Sequence, residues 1–380
     1  MTSFSPIHSI GLMSGTSADG IDVALLETDG EDQIKSKGST HIPYEPHITS
    51  ALLREASKGY AKKDDGLHAL EEHLTTLHST AVMALLQETG LTKKDIAVVG
   101  MHGHSISHRP AQRLSWQLGN GRALAQSVDI DVVCDFRQED LRHGGEGAPF
   151  APLFHHALLT RQRTAPTDRH DDVAWRDPVA IVNIGGVANV TVLDKGKIVH
   201  AFDTGPGCAL VDDWIRHCGV LAGMDKDGAY GHKGHVHDTI ISSMIAHPYF
   251  ARRPPKSLDR YDFGIDGVRH LSIEDGAATL TAFTAKALAK GQEWGNSPWR
   301  SLVITGGGRH NHALLQKIEE HMGTCAIRVA EDIGWHGDVL EAQAFAWLAV
   351  RHLRQLPLSL PCTTGVSHAM RGGVLHRASA

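Results

Sequence analysis

The sequence predicts an α/β protein with mixed sheets, on three observations. Segments with strand and helix patterning alternate along the chain, as they do where helices cover sheets. Two strand–turn–strand units with glycines at the turn begin about 170 residues apart, at Ile7 and Val179, which suggests two related halves. The length, 380 residues, exceeds the roughly 250–300 that one hydrophobic core supports, so two domains are expected.

Residues 7–13 and 21–27 are apolar and β-compatible, and Ser14–Gly20 turns between them. Leu67, Leu70, Leu74, Leu77 and Leu85 recur at helical spacing through 66–89, and Gly90 follows as a stop, so this segment is an amphipathic helix. Strands follow at 96–101 and 130–136. Residues 152–159 read as helical, and the polar stretch 160–177 as an exposed loop. The second hairpin runs from Val179 to Leu193 around Gly185-Gly186. Strand 198–203, helices 209–218 and 277–290, strand 301–305 and helix 311–321 come next. Helix 339–354 is apolar nearly all round, so it is expected to lie buried between layers.

Composition narrows the function. The chain has 41% hydrophobic and 21% charged residues and a net charge of −6, an ordinary globular balance. That charge argues against a non-specific nucleic-acid binder. No stretch approaches the roughly 20 apolar residues of a membrane span, and the first residues lack the order of a signal peptide. Five scattered cysteines without a C-x-x-C pair fit reduced thiols in the cytoplasm.

Three glycine-rich turns directly follow strands: Ser14–Gly20, Gly185-Gly186 and Gly306-Gly307-Gly308. Glycine lets backbone N–H groups approach an anion closely. One such turn is explained by tight turning alone. Three, with the hydroxyls of Thr16 and Ser17 in the first, favour a nucleotide. No P-loop or G-x-G-x-x-G fingerprint is present, which leaves a phosphate cradle built from two hairpins. Asp203 ends a strand just before a helix, where catalytic groups of open α/β sheets gather; capping of its own turn explains it equally well. Asp135 and Arg137 end another strand, as an ion pair or a clamp for hydroxyls and a carboxylate. Glu341 opens the buried helix, either for its dipole or at a cleft. Among the 27 histidines, His102, His104 and His108 have metal-like spacing, but Gly103 argues for a loop and against a metal site. The remaining histidines read as dispersed surface residues.

The block Gly11-Leu12-Met13-Ser14-Gly15-Thr16-Ser17-Ala18-Asp19-Gly20-Ile21-Asp22 resembles the signature of the anhydro-N-acetylmuramic acid kinase family, within the superfamily of sugar kinases, actin and chaperone ATPases. Further ordered blocks extend the resemblance over most of the chain: His102-Gly103, Gln117–Asn120, Asp135–Arg137, Gly144–Pro149, Asn183–Gly186, Phe202–Gly207, Asp227-Gly228, Pro255–Ser257, Gly306–Gly308 and Glu341–Trp347. The resemblance implies two actin-like (ribonuclease H-like) domains, 1–138 plus 352–380 and 139–351, with ATP and sugar in the interdomain cleft. It implies phosphorylation of 1,6-anhydro-N-acetylmuramic acid at O6 with hydrolytic opening of the anhydro ring, giving N-acetylmuramic acid 6-phosphate and ADP in peptidoglycan recycling. ATP and Mg²⁺ are the implied cofactors and a homodimer the implied assembly.

By the same resemblance, Gly15, Thr16, Ser17, Ala18, Asp19, Gly20, Ile21 and Asp22 cradle ATP, with Asn183, Gly185, Gly186, Gly205, Gly207, Gly306, Gly307 and Gly308 completing the nucleotide site. Asp203 is the general base, and His102, Asp135, Arg137 and Glu341 contact the sugar. Three places depart from the expected pattern. The superfamily's usual acidic residue early in the first phosphate loop is missing at Leu12-Met13-Ser14, and against the family pattern His104 replaces glutamine and Leu258-Asp259 replaces Thr-Gly. Rival readings are a kinase for an ordinary amino sugar, a metal-dependent carbamoyl-transfer enzyme of the same superfamily with His104 and His108 as ligands, and a non-catalytic ATP-binding regulator.

Overall fold

The computed structural model describes residues 4–58, 65–164, 175–221 and 223–378. Its contacts divide the chain into two units, Met1–Pro166 with Val339–Ala380, and Thr167–Asp338.

In the first unit, the apolar strands β1 (Ile7–Ser14) and β2 (Gly20–Thr28) and the more polar β3 (Ile34–Pro43) form an antiparallel meander. On the other side of β1, β4 (Val98–Arg109) and then β6 (Val132–Cys134) add in parallel. β5 (Leu114–Leu118) folds back on β4, and β12 (Val374–His376) closes the edge against β6. The helices α1 (Pro46–Ser57), α2 (Asp65–Thr89) and α3 (Gly121–Val128) supply Ile48, Leu52, Leu74, Leu85 and Leu124 to a core shared with Ile10, Leu12 and Val99 of the sheet. α4 (Gln138–Arg142) and α5 (Pro152–Thr164) follow β6, and α10 (Leu340–Leu353) and α11 (Pro361–Thr364) complete the unit.

α10 packs on β1, β2 and β4. Two glycines permit its approach. A Cβ at Gly11 would stand 1.8 Å from the Ala342 carbonyl oxygen, and one at Gly100 2.1 Å from that of Phe345. The helix backbone therefore rests on strand backbone, and Ser9 Oγ donates to the Ala346 carbonyl at 2.8 Å.

The second unit repeats the plan. β7 (Val179–Ile184), β8 (Val187–Asp194) and β9 (Lys197–Pro206) form the meander, while β10 (Ser301–Thr305) and β11 (Ala326–Val329) continue in parallel beyond β7. α6 (Ala209–His217), α7 (Asp238–Ile245), α8 (Ile273–Lys290) and α9 (His312–Met322) flank this sheet. The orders β6-β4-β1-β2-β3 and β11-β10-β7-β8-β9 are equivalent. The internal repeat read from two glycine hairpins thus extends to whole sheets of ribonuclease H-like order.

Three local expectations need correction. The segment His102–His108 is not a loop but the second half of β4, paired with β5 through a register shift that accommodates it. Helix α5 continues to Thr164, five residues past its expected end; residues 165–174 of the expected loop lie outside the described residues. His78 and His155 are buried within the first unit rather than dispersed on its surface.

Candidate active site

In the first unit, the turn between β1 and β2 is tied from beneath. Tyr44 donates its hydroxyl to Ser14 Oγ at 2.7 Å, and Ser14 hydrogen-bonds His104 Nδ1 at 2.9 Å. His104, which departs from the family's glutamine, therefore helps hold the base of the turn. Thr49 donates to the Ala18 carbonyl at 2.7 Å, and Ala18 takes the left-handed conformation (φ 56°) that the tight turn requires. Ser17 Oγ donates to Asp19 Oδ1 at 2.9 Å, and Asp22 Oδ1 pairs with His41 Nδ1 at 2.8 Å.

The glycines in and beside the three turns fall into two kinds. A Cβ at Gly207, Gly306 or Gly308 would strike the Gly185 carbonyl oxygen (2.2 Å), Asn183 Oδ1 (2.3 Å) or the Ile184 side chain (2.5 Å) respectively, so packing demands glycine there. Around Gly15 and Gly185 the nearest atoms to such a Cβ are 3.4 and 3.8 Å away, and around Gly307 nothing lies within 4 Å. None of these three has a positive φ. Neither packing nor backbone conformation demands glycine at these three positions.

His102 and Arg137, 35 positions apart, are joined. Arg137 donates through Nε (3.2 Å) and a terminal nitrogen (2.9 Å) to His102 Nε2, and through its other terminal nitrogen to the Gly147 carbonyl at 2.7 Å. His102 Nδ1 then donates to the Gly103 carbonyl at 2.8 Å, which fixes the tautomer. Burial and the Arg137 charge hold the imidazole well below its ordinary pKa, so it is neutral. Gly147 is itself pinned by buried Asp140, whose Oδ1 accepts the Gly147 N–H at 2.8 Å. The His102 ring packs on Phe345 with centroids 4.7 Å apart. Glu341 sits one helical turn before Phe345 on α10, so it shares that face.

Asp135 has different company. Its backbone is left-handed (φ 53°), its carboxylate accepts from the Cys134 thiol at 3.6 Å, and it groups with Cys134 and His376, ligand atoms within 4.8 Å of one another. Burial pushes the Cys134 thiol well up, so it is protonated. Asp135 also lines a cavity of about 280 Å³ with Gln138, Arg142, His352 and Arg371. His104 and His108, the carbamoyl-transfer ligands of the rival reading, have their Nδ1 atoms engaged by Ser14 and Ser115.

In the second unit, Asp203 is gripped by the segment 249–258. Its N–H donates to the Lys256 carbonyl at 3.0 Å, its carbonyl accepts from the Tyr249 hydroxyl, and its Oδ2 accepts the Leu258 N–H at 2.8 Å. Because Leu258 acts through its backbone, its departure from the family's threonine leaves this bond intact. Asp259 caps the following turn by accepting from Tyr261 N–H. Lys256 is only 2% exposed and anchors the segment. Its ammonium lies 4.3 Å from the Tyr249 ring centroid and 5.4 Å from that of Trp294, and donates to the Tyr249 carbonyl at 3.1 Å. Burial lowers its pKa to about 8. The Gly186 carbonyl accepts from Gly207 N–H at 3.0 Å, tying the second glycine turn to the loop after Asp203. Arg309 fastens the third turn through the Gly306 carbonyl, Glu331 and Asp338. Sequence reasoning missed Lys256, Tyr249 and Arg309 as supports, since their roles depend on partners remote in the chain.

Repeated ribonuclease H-like sheets, with glycine turns at the ends of their strands and a fixed carboxylate beside one of them, define a kinase of the actin-like ATP-dependent class. The chain belongs to the anhydro-N-acetylmuramic acid kinase family, whose family model matches residues 7–378. Curated anhydro-N-acetylmuramic acid kinases align over nearly the whole length. The Rhizobium rhizogenes protein is 45% identical, covering 97% of this chain and 99% of its own. Those of Methylobacterium nodulans and Zymomonas mobilis are 43% and 40% identical, covering 98% and 97% of this chain and 100% and 99% of their own.

Proposed function

We propose that this kinase converts 1,6-anhydro-N-acetylmuramic acid, ATP and water to N-acetylmuramic acid 6-phosphate and ADP, with Asp203 as general base. The three-point grip on Asp203 carries this reading: a carboxylate whose backbone and Oδ2 are fixed by Lys256, Tyr249 and Leu258 is oriented for a single proton transfer. Water attacks the anomeric carbon and gives its proton to Asp203. The C1–O6 bond breaks, O6 takes the electron pair and attacks the γ-phosphorus, and ADP leaves.

His102, Arg137 and Glu341 line the sugar in this reading; both ring nitrogens of neutral His102 are engaged, so it acts by orienting Arg137 toward the sugar. The assignment of Asp135 as a further sugar contact rests on the family resemblance. Gly15–Asp22, Asn183, Gly185, Gly186, Gly205, Gly207 and Gly306–Gly308 cradle the nucleotide, supported by the cleared faces of Gly15, Gly185 and Gly307. Mg²⁺, when bound with ATP, neutralises charge on the transferring phosphoryl group. Exposed Asp19, with the Ser17 hydroxyl beside it, and Asp22 offer the oxygen donors that a hard cation prefers. A cytoplasmic place in peptidoglycan recycling and a homodimer belong to the same reading; unpaired cysteines support the former.

Asp203→Asn tests the base. It keeps the shape and the Leu258 contact but cannot take a proton, so turnover falls about 10²–10⁴-fold while ATP still binds. Wild-type turnover in this variant would overturn the assignment.

A further inference from the structure

The meander of the second unit places a row of polar side chains on one face of its sheet. Thr305 of β10 is the register partner of Asn183 on β7, Asn183 that of Asn189 on β8, and Asn189 that of Asp203 on β9. Register partners on neighbouring strands point to the same face, with Cβ atoms about 4.5–5.5 Å apart in antiparallel pairs. The row therefore runs from the strand end before Gly306 to the base. A bulge at Thr204 shifts the pairing between Ala188 and Asn189 and brings Asn189 opposite Asp203; bulges re-aim side chains beside active sites.

The members differ in their bonding. Asn183 Oδ1 accepts from Thr305 Oγ1 at 3.4 Å, and Asp203 Oδ2 from Leu258. Asn189 Oδ1 is buried and has no hydrogen-bond partner among the described residues. A buried carbonyl oxygen left in this state calls for an explanation, and packing within the strand offers none.

We infer that Asn189 is a second catalytic residue of ring opening: its Oδ1 accepts the hydrogen of the attacking water that Asp203 does not take. The inference rests on Asp203 as base. A water molecule has two O–H bonds. With one directed at Asp203 and the other at Asn189, a lone pair is turned toward the anomeric carbon. The proton leaves to Asp203 as the C–O bond forms, and the second hydrogen stays in the product hydroxyl, bonded to Asn189 throughout.

Kinetics of Asn189→Ala, Asn189→Asp and Asn189→Ser test this, alongside Asp203→Asn. Asn189→Ala is expected to lower kcat about 10–100-fold with KM for ATP and for the sugar unchanged. Asn189→Asp keeps an acceptor oxygen in place but sets a negative charge beside Asp203. That charge raises the Asp203 pKa, so turnover recovers only at higher pH and the acidic limb of the profile moves upward. Asn189→Ser, whose shorter hydroxyl can accept, is intermediate and serves if the alanine variant does not fold. The inference is overturned if Asn189→Ala stays within twofold of wild type, if Asn189→Asp is no better than alanine at any pH, or if the loss appears as a raised KM for ATP. Should Asp203→Asn itself keep wild-type turnover, the base reading fails first; its inactivity beside a fully active Asn189→Ala defeats the inference alone.

Discussion

The proposed chemistry depends on a few side chains whose freedom has been removed. Arg137 spends both its Nε and one terminal nitrogen on His102 and the other on Gly147. A lysine offers a single point of charge and cannot reproduce that fork. Arg137→Lys is therefore expected to lower kcat/KM for the sugar about 10–100-fold, with KM for ATP unchanged, in steady-state assays varying each substrate. Single residues were legible in the sequence to an uneven degree. Asp203, Arg137 and His102 stand at strand ends or in recognisable blocks. Asn189 was missed, although a signal existed: it lies as far after the turn of the β7–β8 hairpin as Asn183 lies before it, so a two-strand register places them opposite each other. Asp135 stands at a strand end, and the structure groups it with Cys134 and with His376, which β12 brings alongside β6.

Elements are positioned by close backbone approach, and α10 is the clearest case. Its buried residues cover nearly every side, and its contact with β1 and β4 exists because Gly11 and Gly100 lack side chains. Gly100→Ala places a methyl group 2.1 Å from the Phe345 carbonyl oxygen. Neither strand nor helix backbone yields cheaply, so a loss of about 3 kcal/mol or more is expected. Chemical denaturation measures it, and activity should fall with it, since Phe345 supports His102 and Glu341 opens the same helix. The hydrophobic character of α10 and its burial were legible in its composition. The continuation of β4 through His102–Arg109 was not, because Gly103 reads as a break. In the structure that glycine has φ 79° and fits against the Leu118 carbonyl of β5, a long-range pairing that no local pattern announces.

At the scale of the whole molecule, three buried histidines and the half-buried His108 make folding sensitive to acid. Burial lowers the pKa of His78 to about 4 and of His108 and His155 to about 3, and with the Arg137 charge holds His102 well below its usual range. In the unfolded chain these groups titrate near 6.5. Below that pH the unfolded state binds more protons than the folded one, so stability falls as pH falls, by up to about 1.4 kcal/mol per pH unit for each histidine. Denaturation midpoints should be steady between about pH 7 and 8, below the Lys256 titration, and drop steeply from about 6.5 toward 4; a flat acid limb would contradict the burial of these side chains. All four lie in the first unit, so its sheet is expected to unfold first on acidification. The two-halved plan was legible because the hairpins repeat, whereas the shared strand order could not be read, since parallel neighbours are joined through long connections.

The central claim joins two events, ring opening and phosphoryl transfer, in one turnover. ADP release should be measured with Mg·ATP and, separately, 1,6-anhydro-N-acetylmuramic acid, N-acetylmuramic acid and N-acetylglucosamine in ¹⁸O water, with the products weighed by mass spectrometry. Turnover on the anhydro sugar alone is predicted, its product gaining one phosphate and one labelled oxygen. Turnover only on the open sugars, or a phosphorylated product without the label, would contradict the account.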